Sequence, residues 1–254
     1  MTANKATIGF GSRVYGLGLM ALGAVNLMWG DFDSGQPVPD DFPHRTALAY
    51  SAAAFLLLAG LAVQWRRTAA KAAAALAVYY TFVVVILING PGVIANYREF
   101  GSYSWTAEEL AVAVGGLIVY ASVATIDAAL AARLTRVGQL TFGVCAVLFG
   151  GAHFAYLNLT VPLIPKWLPP SGEFWAYAAG VFHIAGGLAI LAGFKARLAA
   201  ILLTVMYASW TPLVHLPIVF AAPDVFFNWT ENALNLVLTG VAWIVVDSQR
   251  ARRA

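Results

Sequence analysis

The sequence predicts an all-α integral membrane protein with eight transmembrane helices, arranged as two tandem parallel four-helix repeats. Three observations carry that prediction: an apolar composition, eight apolar runs of spanning length, and charges sorted onto alternate loops. Of 254 residues, 61% are hydrophobic and 11% charged, against about 25% charged in soluble domains. A mean hydropathy of +0.76 leaves too few polar residues to coat a soluble core, so the apolar side chains face lipid. The single cysteine, Cys145, excludes an internal disulfide or a CxxC metal or redox pair and argues against thiol chemistry as the core function.

A spanning helix needs about 20 mostly apolar residues. The first run, about 12–29, follows Lys5 and Arg13. No small-x-small cleavage pattern precedes Trp29, so it reads as a retained span and not a signal peptide. The second and third, about 46–64 and 71–89, are parted by Arg66, Arg67 and Lys71. The fourth and fifth, about 107–128 and 139–157, flank Arg133 and Arg136. A proline-rich loop precedes the sixth, about 174–192, and Lys195 and Arg197 mark the junction with the seventh, about 196–220. The eighth covers about 229–247.

Short cytoplasmic loops collect Lys and Arg. On this layout Lys5, Arg13, Arg66, Arg67, Lys71, Arg133, Arg136, Lys195, Arg197, Arg250, Arg252 and Arg253 fall on one side, and Arg45, Arg98 and Lys166 on the other. Both termini are therefore expected in the cytoplasm, with the protein multi-pass in an inner (plasma) membrane. The formal charge of +3 is then a topology signal, and no nucleic-acid partner is expected.

An offset of 127 residues aligns Gly16 with Gly143, Asn26 with His153, Phe55 with Phe182, Gly60-Leu61-Ala62 with Gly187-Leu188-Ala189, and Tyr80 with Tyr207. Past the third helix an offset of 124 aligns Trp105-Thr106 with Trp229-Thr230, and Gly116 with Gly240. The expected domains are therefore residues 1–128, a scaffold-like repeat, and 129–254, the repeat carrying the functional pocket. Four helices per unit makes the repeats parallel, without the inverted signature of many transporters. Where the second half has His153, His183 and His215, the first has Asn26, Leu56 and Ile88.

Ionisable residues in spanning helices are costly and mark functional sites by default. His153, His183, His215 and Glu231 place one on each helix of the second half. At about 1.5 Å per residue, His153, His215 and Glu231 lie about 3 to 7 Å inside the outer boundary and His183 about 14 Å. Imidazole plus carboxylate suits a transition metal or haem, although no HxxxH or ExxH pair fixes two ligands on one helix. The same groups suit a quinone or a lipid headgroup held by hydrogen bonds; alternatively, each histidine bonds a neighbouring helix. His183 and Glu231 are the candidates for moving protons.

Pro212 and Pro217 bracket His215 and loosen its turn, which in a membrane belongs beside protein or a wet cavity. The outer loop from Asn158 to Phe174 is rich in proline and holds Lys166 and Trp167, candidates for roofing the site or holding an anionic group; it also reads as an interfacial aromatic belt. Gly150-Gly151 and Gly186-Gly187 suit close helix approach. Asn158-Leu-Thr160 and Asn228-Trp-Thr230 match a short glycosylation pattern near the bilayer.

The stretch Trp175 to Pro217 resembles the DoxX-like family of small four-helix membrane proteins. The likeness lies in His183 in the second helix, Gly186-Gly187-Leu188, Gly193 before a basic turn, and Arg197 to Ala200 opening the third helix. The resemblance implies a membrane-embedded four-helix unit and an association with quinone or thiol redox complexes. This chain departs by being duplicated and by having His183 where many relatives carry Glu. The expected function is a redox-associated membrane subunit binding a quinone or a metal. The alternatives are a non-enzymatic lipid-binding or assembly protein, and a small-solute transporter, for which little beyond Asp127 and Asp247 would line an inner path.

Overall fold

A computed structural model describes residues 8–249, which places Lys5, Arg250, Arg252 and Arg253 outside the described residues. The chain forms α1 (Phe10–Trp29), α2 (Arg45–Val63), α3 (Arg66–Ala95), α4 (Phe100–Val123), α5 (Ala128–Ala155), α6 (Gly172–Ala192), α7 (Ala196–Ala221) and α8 (Phe226–Ser248). A short helical segment over Leu157–Thr160 and Val161–Leu163 follows α5. Among the described residues there is no strand.

Seven of these helices, α2 to α8, are long and apolar enough to cross a membrane, so the chain is a multi-pass helical membrane protein. Helix α1 has the length but falls short of that apolarity. Its place in the bundle accounts for this: it packs against both α2 and α8, burying Ser12, Tyr15 and Asn26 as well as its glycines. The face turned into the bundle has little need of the apolar surface that lipid demands.

Helix α5 plays the corresponding part among the remaining helices, packing against α6 and α4, while α4 also touches α8. Glycines set the closest crossings. A Cβ on Gly60 of α2 would meet the Gly16 carbonyl oxygen of α1 at 2.5 Å, and one on Gly187 of α6 would meet that of Gly143 of α5 at 2.6 Å. Only hydrogen fits there.

Several boundaries differ from the sequence reading: α3 runs Arg66–Ala95 and α4 Phe100–Val123, against expected spans of about 71–89 and 107–128. Helix α5 starts at Ala128 and not near 139, because Asp127 caps it by accepting from the Ala129 and Leu130 amides. Arg133 and Arg136 therefore ride on the helix beyond its apolar span. Helix α3 likewise starts at Arg66, carrying Lys71 on its first turns. Charge ends an apolar run without ending a helix.

Helices α3 and α7 each contain a wide π-helical stretch, Tyr79–Asn89 and Thr211–His215. In α7 this stretch contains Pro212, whose missing N–H breaks the regular ladder. Widened turns of this kind concentrate at functional sites.

Candidate functional site

Three helices bring an aromatic and imidazole stack together in the second half. His153 lies near the end of α5, His183 midway along α6, and Tyr207 and Trp210 at the end of the regular part of α7. The His153 and His183 rings are 5.0 Å apart between centroids; His183 lies 5.4 Å from Tyr207, 5.5 Å from Trp210 and 5.9 Å from Phe149. Trp210 also contacts His153 at 5.8 Å. His183 is 1% exposed.

Each histidine bonds through Nδ1 to the carbonyl four residues back, His153 to Phe149 and His183 to Ala179, both at 2.9 Å. A carbonyl only accepts, so Nδ1 carries the proton, and in the neutral ring Nε2 is left as a bare acceptor. The adjacent Tyr207 hydroxyl is buried without a hydrogen-bond partner. The stack thus combines imidazole acceptors with an unspent hydroxyl.

A second cluster lies where α1, α4, α8 and the α1–α2 loop meet. Glu109 has Asp33, Glu108 and Glu231 as Coulombic neighbours, and Ser34 donates to Glu231 at 3.2 Å. Asp33 accepts from Asn26 and Gln36 at 2.8 Å each and from the Gly35 amide at 3.1 Å. Burial pushes its carboxyl above the ordinary aspartate value, against the pull of those donors. Among the described residues no ion pair reaches these four carboxylates; Arg45 instead pairs with Asp31 and Asp40. The Asn26 Oδ1 and Tyr80 hydroxyl beside them lack partners.

An open cavity of about 1590 Å³ touches both clusters, with Ser34 and Glu108 on one wall and His153 and Tyr156 on another. Its remaining surface is mainly apolar, including Phe55, Leu87, Trp105 and Phe227, and no Lys or Arg lines it. The expected pocket lay within the second half; this cavity instead lies between the halves, with most of its wall from residues 32–108.

Of the residues expected from sequence, the structure brings His153 and His183 together. His215 sits half-buried in the π-helical stretch of α7 and takes no part in the ring stack. Glu231 joins the carboxylates and not the histidines. Lys166 and Trp167 are exposed, and neither lines the cavity. Among the described residues no group of three or more His, Cys, Asp or Glu is placed to hold a metal ion. Cys145 is buried and free.

Sequence reasoning missed Tyr207, Trp210, Glu108, Glu109 and Asp33 as site components. Tyr207 carried a usable signal, since it aligns with Tyr80 in the repeat. Nothing in the local sequence distinguishes Asp33, Glu108 and Glu109 from solvated carboxylates.

This architecture defines a multi-pass helical membrane protein with a polar, aromatic site in its second half. Residues 128–216 match the family model described as DoxX, which covers α5, α6 and most of α7, including both stacked histidines. No curated protein and no solved structure matches the chain.

Proposed function

We propose that this protein is a redox-associated membrane subunit whose cavity between the halves binds a quinone-class ligand. One observation carries the reading: His153 is at once a wall of the apolar cavity and a ring neighbour of buried His183. A quinol hydroxyl at that wall would donate to the bare Nε2 of His153, and Glu108 across the cavity is a second acceptor. His183 behind His153, and Glu231 behind Ser34, are the proton-handling groups in this reading. Electrons pass to a separate redox partner protein.

A metal or haem ligated by His153, His183, His215 and Glu231 finds no support in the geometry, because only two of the four converge. The apolar wall gives specific support to one competing reading, a lipid chain held by a non-enzymatic binding or assembly protein.

The same proposal takes the chain as eight spans in two parallel repeats, 1–128 and 129–254, with both termini cytoplasmic in an inner (plasma) membrane. Supporting it, the offset of 127 carries the Gly16–Gly60 crossing onto Gly143–Gly187. It also carries Tyr80, in the π-helical stretch of α3, onto Tyr207, four residues before that of α7. The charge sorting supports the orientation.

The test is saturable quenching of tryptophan fluorescence by decylubiquinol in reconstituted full-length protein, with Trp105 and Trp210 as reporters. Binding that weakens about tenfold in His153→Ala, the worth of one hydrogen bond in an apolar site, supports the reading. Unsaturable quenching, equal in both proteins, overturns it. A co-purified phospholipid that decylubiquinol cannot displace favours the lipid reading.

A further inference from the structure

The opposite end of the second half holds a feature that quinone binding leaves unused. A cavity of about 410 Å³ lies between the end of α6, the start of α7 and the end of α8, lined by Gly193, Lys195, Ala196, Arg197 and Gln249 among others. It sits at the end of the bundle where Lys and Arg collect.

The donors around it are unspent. Arg197 Nε and Gln249 Nε2 are buried without a hydrogen-bond partner, as is Nη1 of nearby Arg136. Arg136 is held toward this end because its Nη2 donates to the carbonyl of Leu191, two residues before Gly193, at 3.3 Å. Buried donors are rarely left orphaned, and a guanidinium without an acceptor is the costliest kind. Helix α7 adds to the deficit. Its cap residue Lys195, in the left-handed region at φ 45°, gives the first turn no side-chain acceptor, so the leading amides face the same space. Asp247 on α8 is turned away toward α1, where a Cβ on Gly9 would meet its Oδ2 at 3.0 Å.

We propose that this cavity is an anion site for the phosphate group of an anionic lipid. Phosphate offers acceptors on every side, which suits a guanidinium edge, an amide and a helix N-terminus together. The rim argues for a phosphate tethered to lipid. Phe194 is 68% exposed and Leu198 50% exposed beside the cavity, so apolar side chains flank the charged pocket as acyl chains flank a headgroup.

The experiment is thermal unfolding of the full chain in neutral detergent, titrated with dihexanoyl phosphatidylglycerol, dihexanoyl phosphatidylcholine, or sodium phosphate at constant ionic strength. Phosphatidylglycerol is expected to raise the midpoint saturably and phosphatidylcholine not. Arg197→Gln is expected to weaken the apparent affinity about ten- to a hundredfold, while Arg133→Gln, an exposed charge on the same end of α5, leaves it unchanged. Should Arg197→Gln fail to fold, Gln249→Leu removes a donor without removing charge and is expected to weaken binding severalfold. Equal effects of the two lipids, or equal weakening by Arg133→Gln, overturn the site. A phosphate titration that reproduces the full shift keeps the anion site and overturns the lipid as its source.

Discussion

Replacing His183 with leucine asks whether the buried imidazole is chemistry or packing. The first half supplies the comparison, since Leu56 stands at the aligned position and is fully buried. The substitution removes one bond, from Nδ1 to the Ala179 carbonyl, worth about 1 kcal/mol. That carbonyl remains in the helical ladder, so no orphan is left behind. Leucine has a similar volume, and such swaps in a core cost less than about 1.5 kcal/mol. For a chain of this size that is a midpoint shift below about 6 °C. The functional cost comes through His153, whose ring rests on that of His183. Freed of that neighbour, His153 must be ordered again on ligand binding, at about 0.5 to 1.5 kcal/mol, which is a two- to tenfold loss in affinity. The assays are thermal unfolding in detergent and decylubiquinol titration followed by tryptophan fluorescence. A midpoint lowered by more than about 12 °C with unchanged affinity would refute the reasoning and make His183 a structural residue.

The remaining predictions concern packing, pH and the outer loop. Gly187→Ala places a Cβ 2.6 Å from the Gly143 carbonyl oxygen and is expected to cost about 1 to 3 kcal/mol, read as a lowered unfolding midpoint; Gly60→Ala should behave alike at its own crossing. Folded Asp33 holds its proton to higher pH than the unfolded chain does. Stability should therefore fall as pH rises from the ordinary aspartate value through the raised one. Asp33→Asn should flatten that slope, measured as midpoints across a pH series. Lys166→Gln and Trp167→Ala should leave decylubiquinol affinity unchanged, because neither side chain lines the cavity; a tenfold loss in either would mean that the outer loop closes over the ligand.

The helices were legible because lipid imposes its demand along the chain: each span must be apolar over its own length. Helix α1 strained that rule, since the face it packs against α2 and α8 can hold Ser12 and Asn26 away from lipid. Helices α3 and α5 start before their apolar runs for the converse reason, and α4 also starts early, at Phe100. Arg66, Lys71, Arg133 and Arg136 extend into helix beyond the apolar run, and the signal that sets the α5 boundary is the Asp127 cap.

The site was less legible because its residues are related only in space. His153 and His183 were found because an imidazole within a span is conspicuous by itself. Their meeting depends on the close approach of α5 and α6 at Gly150 and Gly180, where a Cβ on Gly150 would meet the Gly180 carbonyl oxygen at 2.6 Å and one on Gly180 the His153 Cβ at 3.1 Å, so rings 30 residues apart come together. Glu108, Glu109 and Asp33 gave no such signal, since a carboxylate near a helix end reads as solvated until a neighbouring loop covers it. That covering comes from the first half, through Ser34 and Gln36 of the α1–α2 loop. The division of labour expected from the sequence, scaffold first and site second, is therefore incomplete. The second half contributes the imidazoles, the first contributes most of the cavity wall and the donors that hold the carboxylates, and a ligand in the cavity touches both.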